Sequence, residues 1–284
     1  MDKSAHETNR LSWNEATKAH NSHKGNQAAF FRSGGSTLFP EDVELLGDVT
    51  DKTVIHLQCN SGQDTLSIAR LGATITGVDI SDEAINFARQ LSQASDIPAT
   101  FIRSDLYDWF EQAQFEHLAF DIAFTSYGVL TWLSDLARWG QGIAGILKPG
   151  GKLVVIEFHP CAMMMEDWKP RFAYMGGKAE FFADGIGDYV ALSGENLALG
   201  IKPDPNAMPF KNLYPVYEYA WGIGDILTAL IDAGLRIMHF HEYPYSNGFK
   251  PFTDMRQAPG RRNYPPEGIP NIPLMFSIVA QKPV

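Results

Sequence analysis

The fold of this chain is decided by residues 53–62, which read Thr53-Val54-Ile55-His56-Leu57-Gln58-Cys59-Asn60-Ser61-Gly62. The first part of this stretch, residues 53–59, is largely apolar and starts with β-branched residues, which is typical of a buried strand. Asn60-Ser61-Gly62 predicts a tight turn, because asparagine and glycine both tolerate left-handed backbone angles. A helical pattern follows at once. Alone, this turn fits an ordinary strand-to-helix connection as well as a loop that binds a ligand, since it keeps a single glycine.

The alternation of strand and helix continues beyond this stretch and predicts an α/β fold with a mostly parallel sheet. Ser81 is a good N-cap for a following helix. The predicted strands are 53–59, 73–79, 100–102, 120–126, 152–158, 235–241 and 274–281. The predicted helices are 64–71, 82–91, about 130–147 and 225–233.

Two kinds of segment lie outside the alternation of strands and helices: a leader before it and two insertions within it. Residues 1–50 are predicted to form an N-terminal helical leader, and residues 51–284 a single domain with irregular insertions at about 159–220 and 243–271. Ligands in open α/β sheets bind beyond the carboxyl ends of the strands. We therefore expect both insertions and the leader to cover that edge as a lid, the leader through Trp13, Asn14, His20, Phe30 and Phe31.

Two aspartates follow predicted strands at this edge. Asp79 ends the second strand, where a carboxylate can accept hydrogen bonds from a ribose diol. Asp105 follows the third strand and can accept from an adenine amino group, with Ile80 and Leu106 on either side of the ring. The alternatives are an acid that stabilises a helix N-terminus for Asp79 and an ordinary loop residue for Asp105. Turn and acid together favour a nucleoside ligand.

With these residues in order, the chain resembles the class I, Rossmann-like S-adenosylmethionine-dependent methyltransferases, in their small-molecule subgroup. The matching segments are Asp79, Ser104-Asp105-Leu106, Phe120-Asp121-Ile122-Ala123-Phe124 and Leu147-Lys148-Pro149-Gly150-Gly151-Lys152-Leu153. The resemblance implies a seven-stranded, mostly parallel sheet with an antiparallel last strand and helices on both faces. It implies S-adenosylmethionine as cofactor, bound by Leu57, Gln58, Cys59, Asn60, Gly62, Asp64, Asp79, Ile80, Ser104, Asp105, Leu106, Thr125 and Ser126.

Three positions depart from the family pattern. His56 stands where the family usually has an acid in the first strand, and Gln58 and Asn60 replace loop glycines. The family acid commonly helps to hold the amino group of the cofactor. We expect the carbonyls of Leu57 and Thr125, with the carboxylate of Asp64, to take over that role.

Two residues are candidates for the chemistry. Tyr127 follows the fourth strand, where its ring and hydroxyl would face the sulfonium methyl, and the alternative is a core tyrosine. His159 follows the fifth strand and is the candidate general base, because imidazole titrates near neutral pH. The alternative for His159 is a structural histidine. His239 and His241 share one face of a strand, but no further ligands at a metal-binding spacing accompany them, so no metal is expected.

Composition limits the partners. The formal net charge of −10 speaks against a protein that binds nucleic-acid phosphates. Two cysteines without a spacing pattern indicate a reducing, cytoplasmic location, and no apolar run is long enough for a membrane helix. We expect a small-molecule substrate, no nucleic acid, no membrane and a homodimer.

The expected reaction is direct displacement of the sulfonium methyl by a small-molecule acceptor, helped by alignment and exclusion of water. Two other classes stay open. A catalytically silent S-adenosylmethionine-binding protein would fit His56, Gln58 and Asn60. A nicotinamide-dependent dehydrogenase would share the order of strand, turn, helix and acid. This sequence, however, lacks the G-x-G-x-x-G motif that is typical of that class.

Overall fold

A computed structural model describes residues 1–194 and 210–284. The strands are β1 (Thr53–Leu57), β2 (Thr74–Asp79), β3 (Thr100–Arg103), β4 (Phe120–Ser126), β5 (Leu147–Phe158), β6 (Met165–Glu166), β7 (Lys169–Pro170), β8 (Ala179–Phe182), β9 (Val216–Tyr219), β10 (Arg236–Tyr243), β11 (Ser246–Asn247), β12 (Arg256–Ala258), β13 (Arg262–Tyr264) and β14 (Met275–Gln281). The helices are α1 (Lys3–Ser22), α2 (Gln27–Arg32), α3 (Pro40–Leu46), α4 (Gln63–Ala69), α5 (Asp82–Ser95), α6 (Leu106–Phe115), α7 (Leu136–Ile146), α8 (Pro160–Met163), α9 (Tyr189–Ser193) and α10 (Ile223–Asp232).

Seven strands form the central sheet, in the order β10-β14-β5-β4-β1-β2-β3. β1 to β5 pair in parallel, whereas β14 lies antiparallel between β5 and β10. The predicted mostly parallel sheet with an antiparallel last strand is confirmed. Because the strand order changes direction between β1 and β4, the loops after these strands diverge and leave a crevice at their carboxyl ends.

The sheet separates two apolar clusters, and the strands supply both in alternation. Ala123 belongs to the cluster that contains Trp139 and Ile143 of α7, whereas Phe124 belongs to the cluster that contains Leu46 of α3. Successive side chains of a strand point to opposite faces, so a strand covered by helices on both faces is apolar along its whole length.

The helix starts are set by capping side chains. Ser81 Oγ accepts from the amide of Ala84 at the start of α5, as predicted. Asp105 and Asp135 cap α6 and α7 in the same way. Each cap supplies an acceptor for a first-turn amide that has no partner within the helix.

Several predicted boundaries were wrong. The leader predicted as helical contains the 20-residue α1 and the short helices α2 and α3. The predicted helix 130–147 is a 3₁₀ turn at Leu130–Trp132 followed by α7, because the side chain of Asp135 caps a new start. β5 begins at Leu147 and takes in the Pro149-Gly150-Gly151 segment, next to an irregularity in its pairing with β4.

The two insertions are not wholly irregular. The first contains the β6–β7 and β8–β9 pairs and α9, and the second contains the three-stranded sheet β11-β13-β12. The part of the first insertion at residues 195–209 lies outside the described residues. No helix among the described residues has the length and apolar character needed to cross a membrane.

Candidate active site

A cavity of about 670 Å³ lies at the carboxyl ends of β1, β2 and β4. That volume is within the range of small-molecule sites. Most of the residues predicted from the sequence line it, namely Gln58, Cys59, Asn60, Asp64, Asp79, Ile80, Ser104, Asp105, Leu106, Ser126 and Tyr127. Of the other predicted residues, Leu57, Gly62, Thr125 and His159 are not part of the wall.

The loop after β1 has three residues with left-handed backbone angles, and only one of them is glycine. Gln58, Asn60 and Gly62 have positive φ angles of 54°, 47° and 77°. A Cβ at Gly62 would lie 2.7 Å from Phe101 and 2.8 Å from Ala88, so the helix–sheet packing requires glycine there. Gly62 therefore shapes the loop from behind the wall. Gln58 and Asn60 adopt the conformation expected of the glycines they replace, which asparagine tolerates and which costs glutamine roughly 1–2 kcal/mol.

Asp79 ties this loop to the end of β2. Its Oδ2 accepts from the amide of Asn60 at 2.8 Å, and its Oδ1 accepts from the amide of Ser81 at 2.8 Å. Burial raises the pKa of Asp79 to about 6, although the amides of Ser81, Asn60 and Ile80 oppose the shift. Each oxygen of a carboxylate has two lone pairs, so both retain capacity for a ligand.

Asp105 has a second role that the sequence did not indicate. Its Oδ1 caps α6, and its Oδ2 lies 2.6 Å from Nδ1 of His6. Lys3 Nζ donates to Oδ1 at 3.1 Å. Burial acts to raise the pKa of Asp105, but the hydrogen bonds and charges of His6 and Lys3 outweigh it and lower the pKa to about 2. This carboxylate therefore anchors α1 to the wall of the cavity.

The leader lies against the cavity through other residues as well. Trp13, Phe30 and Phe31 line it. Asn14 stands behind the wall, where its Oδ1 accepts from Ser81 Oγ at 2.8 Å. His20 also stands behind the wall, with Nε2 3.0 Å from the carbonyl oxygen of Gly187 in the first insertion.

One side of the cavity carries charges of both signs. Asp64 accepts a hydrogen bond from Thr37 Oγ1, and both Asp64 and Lys24 line the wall. Burial lowers the pKa of Lys24 to about 8, while the charge of Asp64 opposes that shift. A cation and a carboxylate at one side of a cavity match the two ends of an α-amino acid group.

His56 occupies the position in β1 where the family usually has an acidic residue, but it carries no negative charge. Nδ1 lies 2.8 Å from Thr65 Oγ1, and burial lowers the pKa of His56 to about 4. The ring is therefore neutral at neutral pH. Behind it, Thr125 Oγ1 donates to the carbonyl of Leu57 at 3.4 Å, which joins the ends of β1 and β4.

Tyr127 lies at the end of β4 with a φ of 48° and belongs to a buried polar network. Its hydroxyl donates to Oδ1 of Asp42 at 3.0 Å and accepts from Nδ2 of Asn247 at 3.2 Å. The amide of Phe39 donates to the other oxygen of Asp42 at 2.7 Å. Oδ1 of Asn247 is buried and has no hydrogen-bond partner among the described residues. The network fixes the direction of the Tyr127 ring in the wall.

Asp42 makes the stability of the protein depend on pH. Burial and the charge of Asp64 raise its pKa to about 8, whereas the unfolded chain releases this proton near pH 4. Between these values the folded state binds one more proton, so this residue lowers the free energy of unfolding as the pH rises. We expect Asp42→Asn to reduce the loss of stability between pH 5 and pH 8 by at least about 1 kcal/mol.

Urea denaturation of the wild type and Asp42→Asn at both pH values measures this difference. The exposed Asp232→Asn is the matched control and is expected to follow the wild type. Equal losses of stability in the wild type and Asp42→Asn would contradict the assignment.

His159 lies apart from the cavity, with partners for both ring nitrogens. Nδ1 accepts from the amide of Cys161 at 3.0 Å and so caps α8, and Nε2 lies 2.9 Å from Oε1 of Glu242. This placement favours the structural alternative over a general base.

Glu157, near the end of β5, is a structural residue whose role was not foreseen from the sequence. Its buried carboxylate accepts from the amides of Gly128, Val129, Leu130 and Phe158. It thereby holds the loop after β4 in place. The described residues contain no group of three or more His, Cys, Asp or Glu that could hold a metal ion.

The strand order, the antiparallel β14, and the cavity beyond β1, β2 and β4 define a Rossmann-like methyltransferase fold. The comparisons with known proteins agree. Residues 55–155 match the family model described as "Methyltransferase domain". These findings confirm the resemblance to class I S-adenosylmethionine-dependent methyltransferases.

Two curated relatives show how far this similarity extends. Demethylmenaquinone methyltransferase of Tropheryma whipplei (strain Twist) is 31% identical over 119 residues, which are 41% of this chain and 46% of the relative. Ubiquinone biosynthesis O-methyltransferase of Serratia proteamaculans is 30% identical over 109 residues, 38% of this chain and 44% of the relative. The chain thus matches less than half the length of each.

Solved structures resemble nearly the whole chain. The CcbJ methyltransferase from Streptomyces caelestis has a TM-score of 0.59 at 12% identity, covering 97% of this chain and 99% of that one. An S-adenosylmethionine-dependent methyltransferase from Mesorhizobium loti has a TM-score of 0.54 at 22% identity, covering 88% and 99%. At these identities the likeness establishes the fold.

Proposed function

We propose that this protein transfers the methyl group of S-adenosylmethionine to a small-molecule acceptor by direct displacement. The observation that carries the proposal is Asp79, a half-buried carboxylate in the cavity wall that is hydrogen-bonded to the Asn60 amide. The match of residues 55–155 to a methyltransferase domain and the names of the relatives support the same reaction.

The residues of the wall fit the parts of this cofactor. Asp79 accepts from the ribose hydroxyls, and Ile80 and Leu106 enclose the adenine, with Ser104 and Asp105 at its edge. Gln58 Oε1 is buried without a hydrogen-bond partner among the described residues, so the loop has an acceptor left for a ligand.

The opposite end of the cavity suits the amino acid part. Asp64 serves the amino group, and Lys24 serves the carboxylate. Leu57 and Thr125, expected from the sequence to share the first role, lie behind the wall and support the ends of β1 and β4. Cys59 and Asn60 shape the passage between the two ends. When bound, the cofactor supplies a methyl group on a positively charged sulfur, which is a good leaving group.

Ser126 and Tyr127 lie in the wall at the end of β4, and we propose that they border the reacting methyl group. A tyrosine ring and its oxygen both stabilise a neighbouring cation.

We further propose that residues 1–50 and the two insertions form the cover that excludes water, which the places of Trp13 and Phe30 in the wall support. The acidic net charge supports an acceptor other than nucleic acid. Two free cysteines support a cytoplasmic location. The homodimer stays a prediction.

Calorimetry with S-adenosylhomocysteine and with NAD(H) tests the proposal, followed by transfer of a labelled methyl group to a metabolite panel. We expect binding of the adenosyl ligand and labelled product. Binding of the nicotinamide nucleotide alone would overturn the proposal. Tight adenosyl binding without transfer to any member of a broad panel would favour a catalytically silent binding protein.

A further inference from the structure

A second cavity of about 270 Å³ adjoins the first. The two share part of their walls, so they meet behind the end of β4. The residues that line both are Gly128, Thr131, Phe158, Met163, Glu218 and Phe249. A molecule in the second cavity therefore lies next to the place proposed for the reacting methyl group.

Aromatic rings enclose the second cavity. They come from the end of β5, from the first insertion, from the segment before α10 and from the second insertion. The rings used in this argument are Phe158, Phe172, Tyr174, Phe182, Trp221 and Phe249. Such walls favour an apolar body, and the faces of their rings also attract a cation.

The charges of this cavity have one sign. Glu157, Glu180 and Glu218 line it, and no Lys, Arg or His is among the described residues of its wall. Glu157 is engaged by four backbone amides. Glu180 and Glu218 stand directly opposite each other in the β8–β9 pair, and neither forms a salt bridge among the described residues.

Like charges opposite each other destabilise a strand pair, and burial of a carboxylate without a counter-charge costs further free energy. Burial and the charge of Glu180 raise the pKa of Glu218 to about 7. A bound cation would remove both costs at once. An anion would increase them, and a neutral hydroxyl would leave the charge uncompensated.

We propose that the second cavity binds the methyl acceptor and that the acceptor is an organic amine with an apolar ring. Its body lies between the aromatic walls, and its nitrogen lies at Glu218, where the two cavities meet. This inference rests on the proposed methyl transfer and names the class of its substrate.

Glu218 takes up the proton that the acceptor nitrogen has to lose. The protonated amine gives one proton to the Glu218 carboxylate, which frees the nitrogen lone pair. That lone pair forms the bond to the methyl carbon while the carbon–sulfur bond breaks and its electron pair stays on sulfur. The products are an N-methylammonium, S-adenosylhomocysteine and a protonated Glu218, which returns its proton to water after release.

Three indole probes with different ends test the proposal: tryptamine carries an ammonium, tryptophol a hydroxyl and indole-3-propionate a carboxylate. Calorimetry first measures S-adenosylhomocysteine binding, and each probe is then titrated into the saturated and the free protein. We expect tryptamine to bind at least about tenfold more tightly than the other two. Glu218→Gln should abolish this preference, and the exposed Glu267→Gln should preserve it.

The possible outcomes separate the two proposals. Equal or tighter binding of tryptophol or indole-3-propionate overturns the amine assignment, as does the absence of tryptamine binding at millimolar concentration. A preference that survives in Glu218→Gln also overturns it. Should Glu218→Gln fail to fold, Glu180→Gln replaces it, with a partial loss of preference as the expected result and an unchanged preference as the contrary one. Failure of S-adenosylhomocysteine to bind would count against the cofactor instead.

Discussion

Asp79→Ala is expected to weaken S-adenosylhomocysteine binding by about 2 kcal/mol, which corresponds to roughly 30-fold in Kd. The variant removes the acceptor proposed for the ribose hydroxyls. It also removes the two 2.8 Å hydrogen bonds that place the Asn60 and Ser81 amides, so the loop after β1 loses its tie to β2. Calorimetry at pH 7.5 measures the change.

The pH dependence of the same binding gives an independent check. The pKa of Asp79 is about 6, so protonation below that value removes an acceptor, and the affinity of the wild type should fall as the pH decreases from 7 to 5. Asp79→Asn should be weaker at pH 7 and flatter across this range. Asp232→Asn, on the exposed end of α10, should match the wild type. An Asp79→Ala protein of unchanged affinity would remove this residue from the site.

Glu157→Ala should lower the free energy of unfolding by about 3 kcal/mol. The carboxylate is the acceptor for the amides of Val129 and Leu130 at 2.7 and 3.0 Å, and of Phe158 at 2.6 Å. Without it, these buried N–H groups lose their partner, which outweighs the benefit of no longer burying a charge. Guanidinium denaturation measures the loss.

Two further variants show whether this loss comes from the acceptor. Glu157→Gln keeps one oxygen and should lose less stability than the alanine variant. Glu116→Gln, at the exposed end of α6, should be neutral within about 0.5 kcal/mol. A change below about 1 kcal/mol in Glu157→Ala would mean that other groups hold the loop.

Much of the fold was predictable because it follows from local patterns. Alternating apolar strands and amphipathic helices with short connections permit few topologies, and the five parallel strands were placed to within a few residues. Asp79 was predictable for the same reason, since a strand end in a parallel sheet has a known place. The split of the helix expected at 130–147 was also visible in principle, because Ser134-Asp135 is a capping signal inside it.

The remaining features depend on contacts between distant parts of the chain. Asp42 meets Tyr127 across 85 positions and His6 meets Asp105 across 99, and no periodicity encodes such pairs. Glu218 gains its significance only from Glu180 on the facing strand and from walls made by separate segments. His159 is the opposite case. Its position after β5 suggested a general base, whereas in the structure its side chain caps α8.

The left-handed backbone at Gln58 and Asn60 has an implication for engineering. Glycine at either position would relieve local strain, but it would delete an amide side chain that lines the cavity. It would also remove the hydrogen bond of Gln58 to the Val129 carbonyl or of Asn60 to the Ser61 amide. Substitutions in this loop would therefore change the residues that bind the ligand. A more thermostable variant should be sought by substitutions elsewhere in the molecule.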